Sequence, residues 1–175
     1  MRALSREAVL LEVAVKLRFN QVCLGAAKRR KNGRVYFGFD RDADGRVIFT
    51  PSAWSGVMRY AAKLANMHHA AVNRIDWCPV VDGKTRNDWR RSIVSKQSGQ
   101  SKVYYAVHEA FSPGSVITIS AVLPDEISVN DFKYLLGIVG KYKGFSPFNT
   151  VADHYGTFEV LSVSPVVGPV ENASQ

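Results

Sequence analysis

The sequence predicts an α+β domain in which an antiparallel sheet is backed by two helices. Segments at 11–19 and 115–123 alternate apolar and polar residues with the period of a half-buried strand. Stretches around 52–66 and 128–140 place apolar residues three and four apart, the period of a helix. With 175 residues and 46% apolar content, the chain can bury one good core but would divide poorly into two. One domain is expected over 1–164, followed by a flexible tail over 165–175 that carries Pro, Gly and Ser.

The amino terminus superficially resembles a signal peptide, since Ala8-Val9-Leu10-Leu11 follows Arg2, Arg6 and Glu7. The alternation argues for a strand instead: Leu11, Val13, Val15, Leu17 and Phe19 fall on one face and Glu12, Lys16 and Arg18 on the other. No apolar run approaches a membrane span, so no membrane partner and a cytoplasmic location are expected. Residues 20–34 then carry Lys28, Arg29, Arg30, Lys31 and Arg34 without an acid, with Gly25 and Gly33 to loosen the chain, which reads as a mobile basic loop. A hairpin of 35–39 and 46–49 is expected around the turn Asp42-Ala43-Asp44-Gly45. Pro51 suits the first turn of a helix over about 52–66, where Trp54, Val57, Met58, Ala61, Leu64 and Ala65 share a face.

Strand character returns over 74–81, with Pro79 making it an edge or irregular strand. Residues 82–102 form a second basic insertion, with Lys84, Arg86, Arg90, Arg91, Lys96 and Lys102 against Asp82 and Asp88. So long a polar loop in a compact domain seldom lacks a use, and a tryptophan exposed within it, Trp89, needs a partner surface. Residues 103–111 and 115–123 read as a hairpin across Ser112-Pro113-Gly114. Ser128 is a good cap for the second helix, whose Phe132, Leu135, Leu136 and Val139 share one face, while Asp125, Glu126 and Asp131 suit the dipole at its start. Gly140 is placed to end that helix in the left-handed conformation. A last strand is expected over 157–163.

Without its insertions the order is strand, helix, strand, strand, helix, strand, the ferredoxin-like or RNA-recognition-type βαββαβ core, here with an inserted hairpin and two basic loops. That arrangement leaves one sheet face open, and such faces commonly stack bases on aromatics and hold phosphates with Lys and Arg. The formal charge of +8 and a pI near 9.7 favour an acidic partner, for which nucleic acid is the commonest candidate. The stretch from Leu135 to Phe148 adds glycines that let main chain approach a ligand, lysines for phosphate and aromatic faces for bases. Lys28, Arg29, Arg30, Lys31, Arg34, Arg59, Lys84, Arg86, Arg90, Arg91, Lys96, Lys141 and Lys143 are the candidate phosphate contacts. Trp89, Tyr142, Phe145 and Tyr105 are the candidate stacking residues.

Other chemistries find less support. Cys23 and Cys78 lack the spacing of a zinc site or disulfide framework and read as reduced core residues. Asp40, Asp42, Asp44 and Gly45 superficially match a calcium loop, but Pro51 stands where its bidentate Glu would be. Gly137, Gly140 and Gly144 do not lie between a strand and a helix start, so neither a dinucleotide fingerprint nor a phosphate loop is present. No metal and no cofactor are expected. His68, His69, His108 and His154 are not placed by any motif, and each reads as a structural histidine.

Two segments carry a family likeness. Asp42 to Arg59, with Phe49-Thr50-Pro51-Ser52 leading into Trp54, Gly56, Val57 and Arg59, and the glycine-rich stretch Leu136 to Phe148 resemble the RAMP superfamily. That superfamily includes backbone subunits of CRISPR effector complexes and solitary relatives encoded by phages and plasmids. In it a hairpin leads into a helix start of this pattern, and a glycine-rich loop separates the last helix from the last strand. The resemblance implies a modified RNA-recognition fold, binding of single-stranded RNA or DNA, possible side-by-side self-association and, for a mobile-element protein, the cytoplasm of the host cell. The chain is short for a backbone subunit, which points to a solitary relative. Three functions follow: a non-catalytic single-strand binder, a module that mimics or displaces a CRISPR complex subunit in the manner of an anti-CRISPR protein, and a metal-independent endoribonuclease with His68 or His69 beside Tyr142 or Lys141.

Overall fold

A computed structural model describes residues 10–97, 99–146 and 154–166. In chain order these form β1 (Leu11–Phe19), β2 (Cys23–Leu24), β3 (Ala27–Lys31), β4 (Arg34–Gly38), β5 (Asp40–Arg41), β6 (Val47–Ile48), α1 (Pro51–Leu64) and α2 (His69–Val72). There follow β7 (Asp76–Trp77), β8 (Arg86–Gln97), β9 (Gln100–Phe111), β10 (Val116–Leu123), α3 (Val129–Ile138), a π-helical turn (Val139–Lys143) and β11 (Phe158–Pro165).

The main sheet runs β11-β1-β10-β7, with β1 antiparallel to both of its neighbours. With α1 after the first strand and α3 before the last, this is the ferredoxin-like arrangement, and the α+β class read from the sequence is the one observed. Val13, Val15, Leu17 and Phe19 bury one face of β1 alongside Ile117, Ile119, Ala121 and Leu123 of β10. Trp54, Met58 and Ala61 of α1 and Phe132, Leu135 and Leu136 of α3 close over them. Each large side chain so buried stabilises the fold by about 1.5–3 kcal/mol. The opposite face carries Glu12, Ala14, Lys16, Arg18, Val116, Thr118, Ser120 and Val122 by register. These eight side chains include no aromatic, so this open face lacks the stacking platform expected of it.

Ser128 caps α3 as expected, its Oγ accepting the Asp131 N–H at 3.0 Å. Gly140 does not end that helix. The backbone passes through the π-helical turn and reverses at Gly144, whose φ is 68°. Gly140 is small for another reason: a Cβ there would overlap the Phe158 carbonyl oxygen of β11. The last strand continues to Pro165, which pairs with Val13, so the chain is still strand where a tail was expected to begin. Val166 donates its N–H to the Glu12 carbonyl at 2.9 Å, and residues 167–175 lie outside the described residues.

The basic segments are strands rather than loops. The expected loop at 20–34 forms β2 and β3, and β3 turns through Asn32 and Gly33, with φ of 50° and 73°, into β4. Two successive positive φ values define the turn that suits a two-residue hairpin. β4 therefore pairs with β3 and not with 46–49. The Asp42–Gly45 turn instead joins the short β5 and β6, and Asp42 accepts the N–H groups of Asp44 and Arg46 at 3.1 and 2.8 Å. The segment 74–81 yields only the two residues of β7 and a single bridge at Val80, with another just beyond it at Asp82.

Residues 86–111 form a ribbon of two twelve-residue strands, β8 and β9, in register from Arg90↔Val107 to Gln97↔Gln100. β9 and β10 do not make the expected hairpin, because both edges of β10 are occupied by β1 and β7. Gly114, at φ 82°, helps carry the chain from one sheet to the other instead. A buried carboxylate fastens the second sheet: Glu109 accepts the Phe39 N–H at 3.0 Å and the Thr85 hydroxyl at 2.8 Å and pairs with Arg41. Cys23 is buried as expected, with burial raising its thiol pKa, whereas Cys78 is exposed.

Candidate nucleic-acid interface

Across the second sheet the strands lie β8, β9, β4, β3. Registered partners share a face, so the pairing assigns its side chains to two surfaces. One holds Lys28, Arg30, Phe37, Trp89, Arg91, Ile93, Tyr104 and His108, with Phe37 stacked on His108 at 5.0 Å between centroids. The other holds Arg29, Lys31, Arg34, Tyr36, Arg90, Val94, Val103 and Tyr105. Cations are thus interleaved with aromatics on both sides. Tyr104 and Tyr105 are 49% and 67% exposed.

Ion pairing separates the cations into two groups. Arg29 pairs loosely with Asp40 at 3.9 Å and donates to the Phe39 carbonyl, and Arg86 is held by Asp88 at 2.5 Å and lies over the Trp89 ring. Lys28, Arg30, Lys31, Arg34, Lys84, Arg90 and Lys102 are exposed and form no ion pair among the described residues. Such a cluster repels itself unless an anion relieves it.

Arg91 is positioned by His108. The imidazole is fully buried, its Nδ1 lies 2.8 Å from the Gly25 carbonyl, and Arg91 Nε lies 3.3 Å from Nε2. A carbonyl only accepts, so Nδ1 carries the proton and Nε2 accepts from Arg91, which requires a neutral ring. Burial holds the His108 pKa below its ordinary value, and the Arg91 charge adds to that.

The remaining predicted residues divide. Lys143 stands at the joint between the helices and the second sheet, over the Tyr60 ring at 5.8 Å, in the wall of a cavity that also includes Ala27 and Gly38. Lys141 and Tyr142 are exposed but line a separate shallow cleft along α3 with Lys133 and Tyr134, and Arg59 is exposed on α1. Two stacking candidates are corrected. Phe145 packs inward, stacked on Trp54 at 4.1 Å and Phe49 at 4.4 Å, and Trp89 is half-buried against Val22, Leu24 and Ala110. The Lys96 side chain, Pro147 and Phe148 lie outside the described residues.

Sequence reasoning missed Tyr36, Tyr60 and Tyr104. The adjacent Tyr104-Tyr105 pair within an alternating segment was the available signal, because neighbours on a strand point to opposite faces. His68 caps α2, accepting the Ala70 N–H at 3.3 Å. The histidine that shares a cleft with Lys141 is His154, together with Lys133 and Glu159. Among the described residues no group of three His, Cys, Asp or Glu is placed to hold a metal ion, and no helix is long and apolar enough to cross a membrane.

No family model and no curated protein matches this sequence. Among solved structures, the chain is similar to one from the cryo-electron microscopy structure of the type III-B Cmr-beta bound to cognate target RNA. The two superpose with a TM-score of 0.65 over 90% of this chain and 61% of the other, at 11% sequence identity. This chain therefore spans less than two thirds of its structural neighbour. At that identity the likeness is one of fold, and the fold is the α+β, ferredoxin-like arrangement that the sequence predicted.

Proposed function

We propose that this chain is a non-catalytic protein of RAMP type that binds single-stranded nucleic acid along its second sheet. One observation carries the reading: among the described residues Lys28, Arg30 and Lys31 on β3, Arg34 on β4, Arg90 on β8 and Lys102 on β9 are exposed without an acidic partner and share the sheet with the exposed Tyr104 and Tyr105, while Asp40, Asp88 and Glu109 are already paired to Arg29, Arg86 and Arg41. Charge of this kind holds phosphates without reading sequence, and aromatic faces between the charges accept bases of any kind. The fold it shares with a chain of an RNA-bound complex favours RNA over DNA. Fluorescence anisotropy with labelled single-stranded RNA and DNA tests this. Binding is expected at low salt, weakening as salt rises, and no binding at low salt overturns the proposal.

A second reading has its own observation. Val94 and Val103, 63% and 56% exposed, sit with Tyr105 on one face of the ribbon, an apolar surface suited to a protein partner such as a subunit of a CRISPR effector complex. Under this reading a complex captured from host lysate survives nuclease treatment. A nucleic-acid bridge is lost instead.

A further inference from the structure

We propose that the cavity at the joint between the second sheet and the helices is a pocket for one unstacked base of the bound strand. It has a volume of about 350 Å³ and opens between β2, the start of β3, the N-terminal half of α1 and the turn after α3. That volume lies within the range of about 300–1,000 Å³ usual for small-ligand sites. Its walls include Leu24, Phe39, Ile48, Phe49 and Val57, all apolar, and its polar groups include Thr50, Ser146, Lys143 and one carboxylate, Asp40.

The surroundings choose the occupant. Ala27 in the wall is followed at once by Lys28 and the other cations of β3, so the phosphate track proposed above leads to the mouth. On another side stand Lys143 and the Tyr60 ring. The first turn of α1, which forms part of the rim, has no acidic residue to repel a phosphate, and Asp40, the acid in the lining, is paired with Arg29 at 3.9 Å. An apolar slot flanked by cations fits a flat heterocycle attached to an anionic backbone. An acyl chain would use the walls but not the track, and a small acid would use the charges but not the walls. The proposal rests on the chain being a single-strand binder, and it adds a site where one nucleotide is held differently from its neighbours.

Abasic scanning of a short single-stranded RNA tests it. In the unaltered protein, removal of the base at one position per site is expected to weaken binding about five- to hundredfold, the range for losing one base contact, and removal elsewhere far less. In Ala53→Trp, which places an indole at the mouth from an exposed position, the intact RNA is expected to bind like the abasic one, with no further loss when the base is removed. A scan in which no position exceeds about a twofold loss, while salt-dependent binding persists, overturns the pocket and leaves the charged track standing. Absence of any binding overturns both. If Ala53→Trp proves unstable by thermal melting, the scan on the unaltered protein decides alone.

Discussion

Replacing Lys28, Arg30 and Lys31 together by Ala should remove the β3 track without disturbing the fold. All three side chains are exposed, none forms an ion pair among the described residues, and the strand is held by its backbone register with β4. Each phosphate contact on a single strand contributes about 0.7 to the slope of log K against log salt, so three contacts contribute about 2. Carried from 1 M to 0.15 M salt, that slope corresponds to about a fiftyfold loss of affinity. The assay is anisotropy of a labelled single strand across a salt series. A control removes the same charge elsewhere: Arg18, Arg46 and Arg74 are exposed but paired with Glu159, Asp42 and Glu126. Its triple Ala variant should keep nearly the original slope. If both triples flatten the slope equally, net charge alone attracts the nucleic acid and β3 is not a track.

The tyrosines of β9 test which face is used. Tyr104→Ala and Tyr105→Ala should differ in anisotropy titrations, the residue on the bound face losing about 1–3 kcal/mol and the other little. Two glycines near the end of α3 should respond in opposite senses in urea unfolding. Gly140→Ala should cost about 1–3 kcal/mol or more by overlap with Phe158, whereas Gly137→Ala, where a Cβ meets open space, should gain up to about 1 kcal/mol. His108 should make stability depend on pH. Its folded pKa is depressed below 6.5 by burial, so the unfolded chain binds the extra proton first and stability is lost as pH falls below about 6.5. In His108→Gln that part of the pH dependence, measured by urea unfolding at several pH values, should vanish.

What was legible in the sequence follows from burial. β1 shows clean alternation because one face lies on the core and the other is open, and Ser128 shows itself because a cap is local chemistry. β3 shows no alternation: Lys28, Arg29, Arg30 and Lys31 are exposed on both faces, so burial imposes no period and the segment reads as loop. The Asn32-Gly33 pair was a legible hairpin signal, masked by the charge around it. The same holds for the ribbon, which leaves both faces to solvent along much of its length. Other misreadings were non-local. Whether 103–111 pairs with 115–123 depends on which strands take the edges of β10, and Gly140 depends on Phe158 across the fold. An aromatic such as Phe145 in a glycine and lysine stretch has the same local signature whether it meets a base or, as here, Trp54.

These features together explain why the charge lies where it does. A long two-stranded ribbon that exposes Ile93, Val94, Val103, Tyr104 and Tyr105 presents β8 as a sheet edge with no second partner among the described residues, a template for pairing with another chain. Arg90 on that strand and Lys102 on its partner place charges among those apolar side chains, which opposes edge-to-edge pairing by like-charge repulsion. The repulsion fades when an anion lies across the sheet. A bound strand would therefore neutralise the cations that keep two ribbons apart, and assembly of neighbouring copies would follow nucleic-acid binding rather than precede it. The open face of the main sheet cannot play this part: two of its acids, Glu12 and Glu159, lie beside its cations, with Glu159 paired to Arg18. Unrelieved charge and exposed aromatics meet in the second sheet, so the proposed binding would be coupled to assembly there.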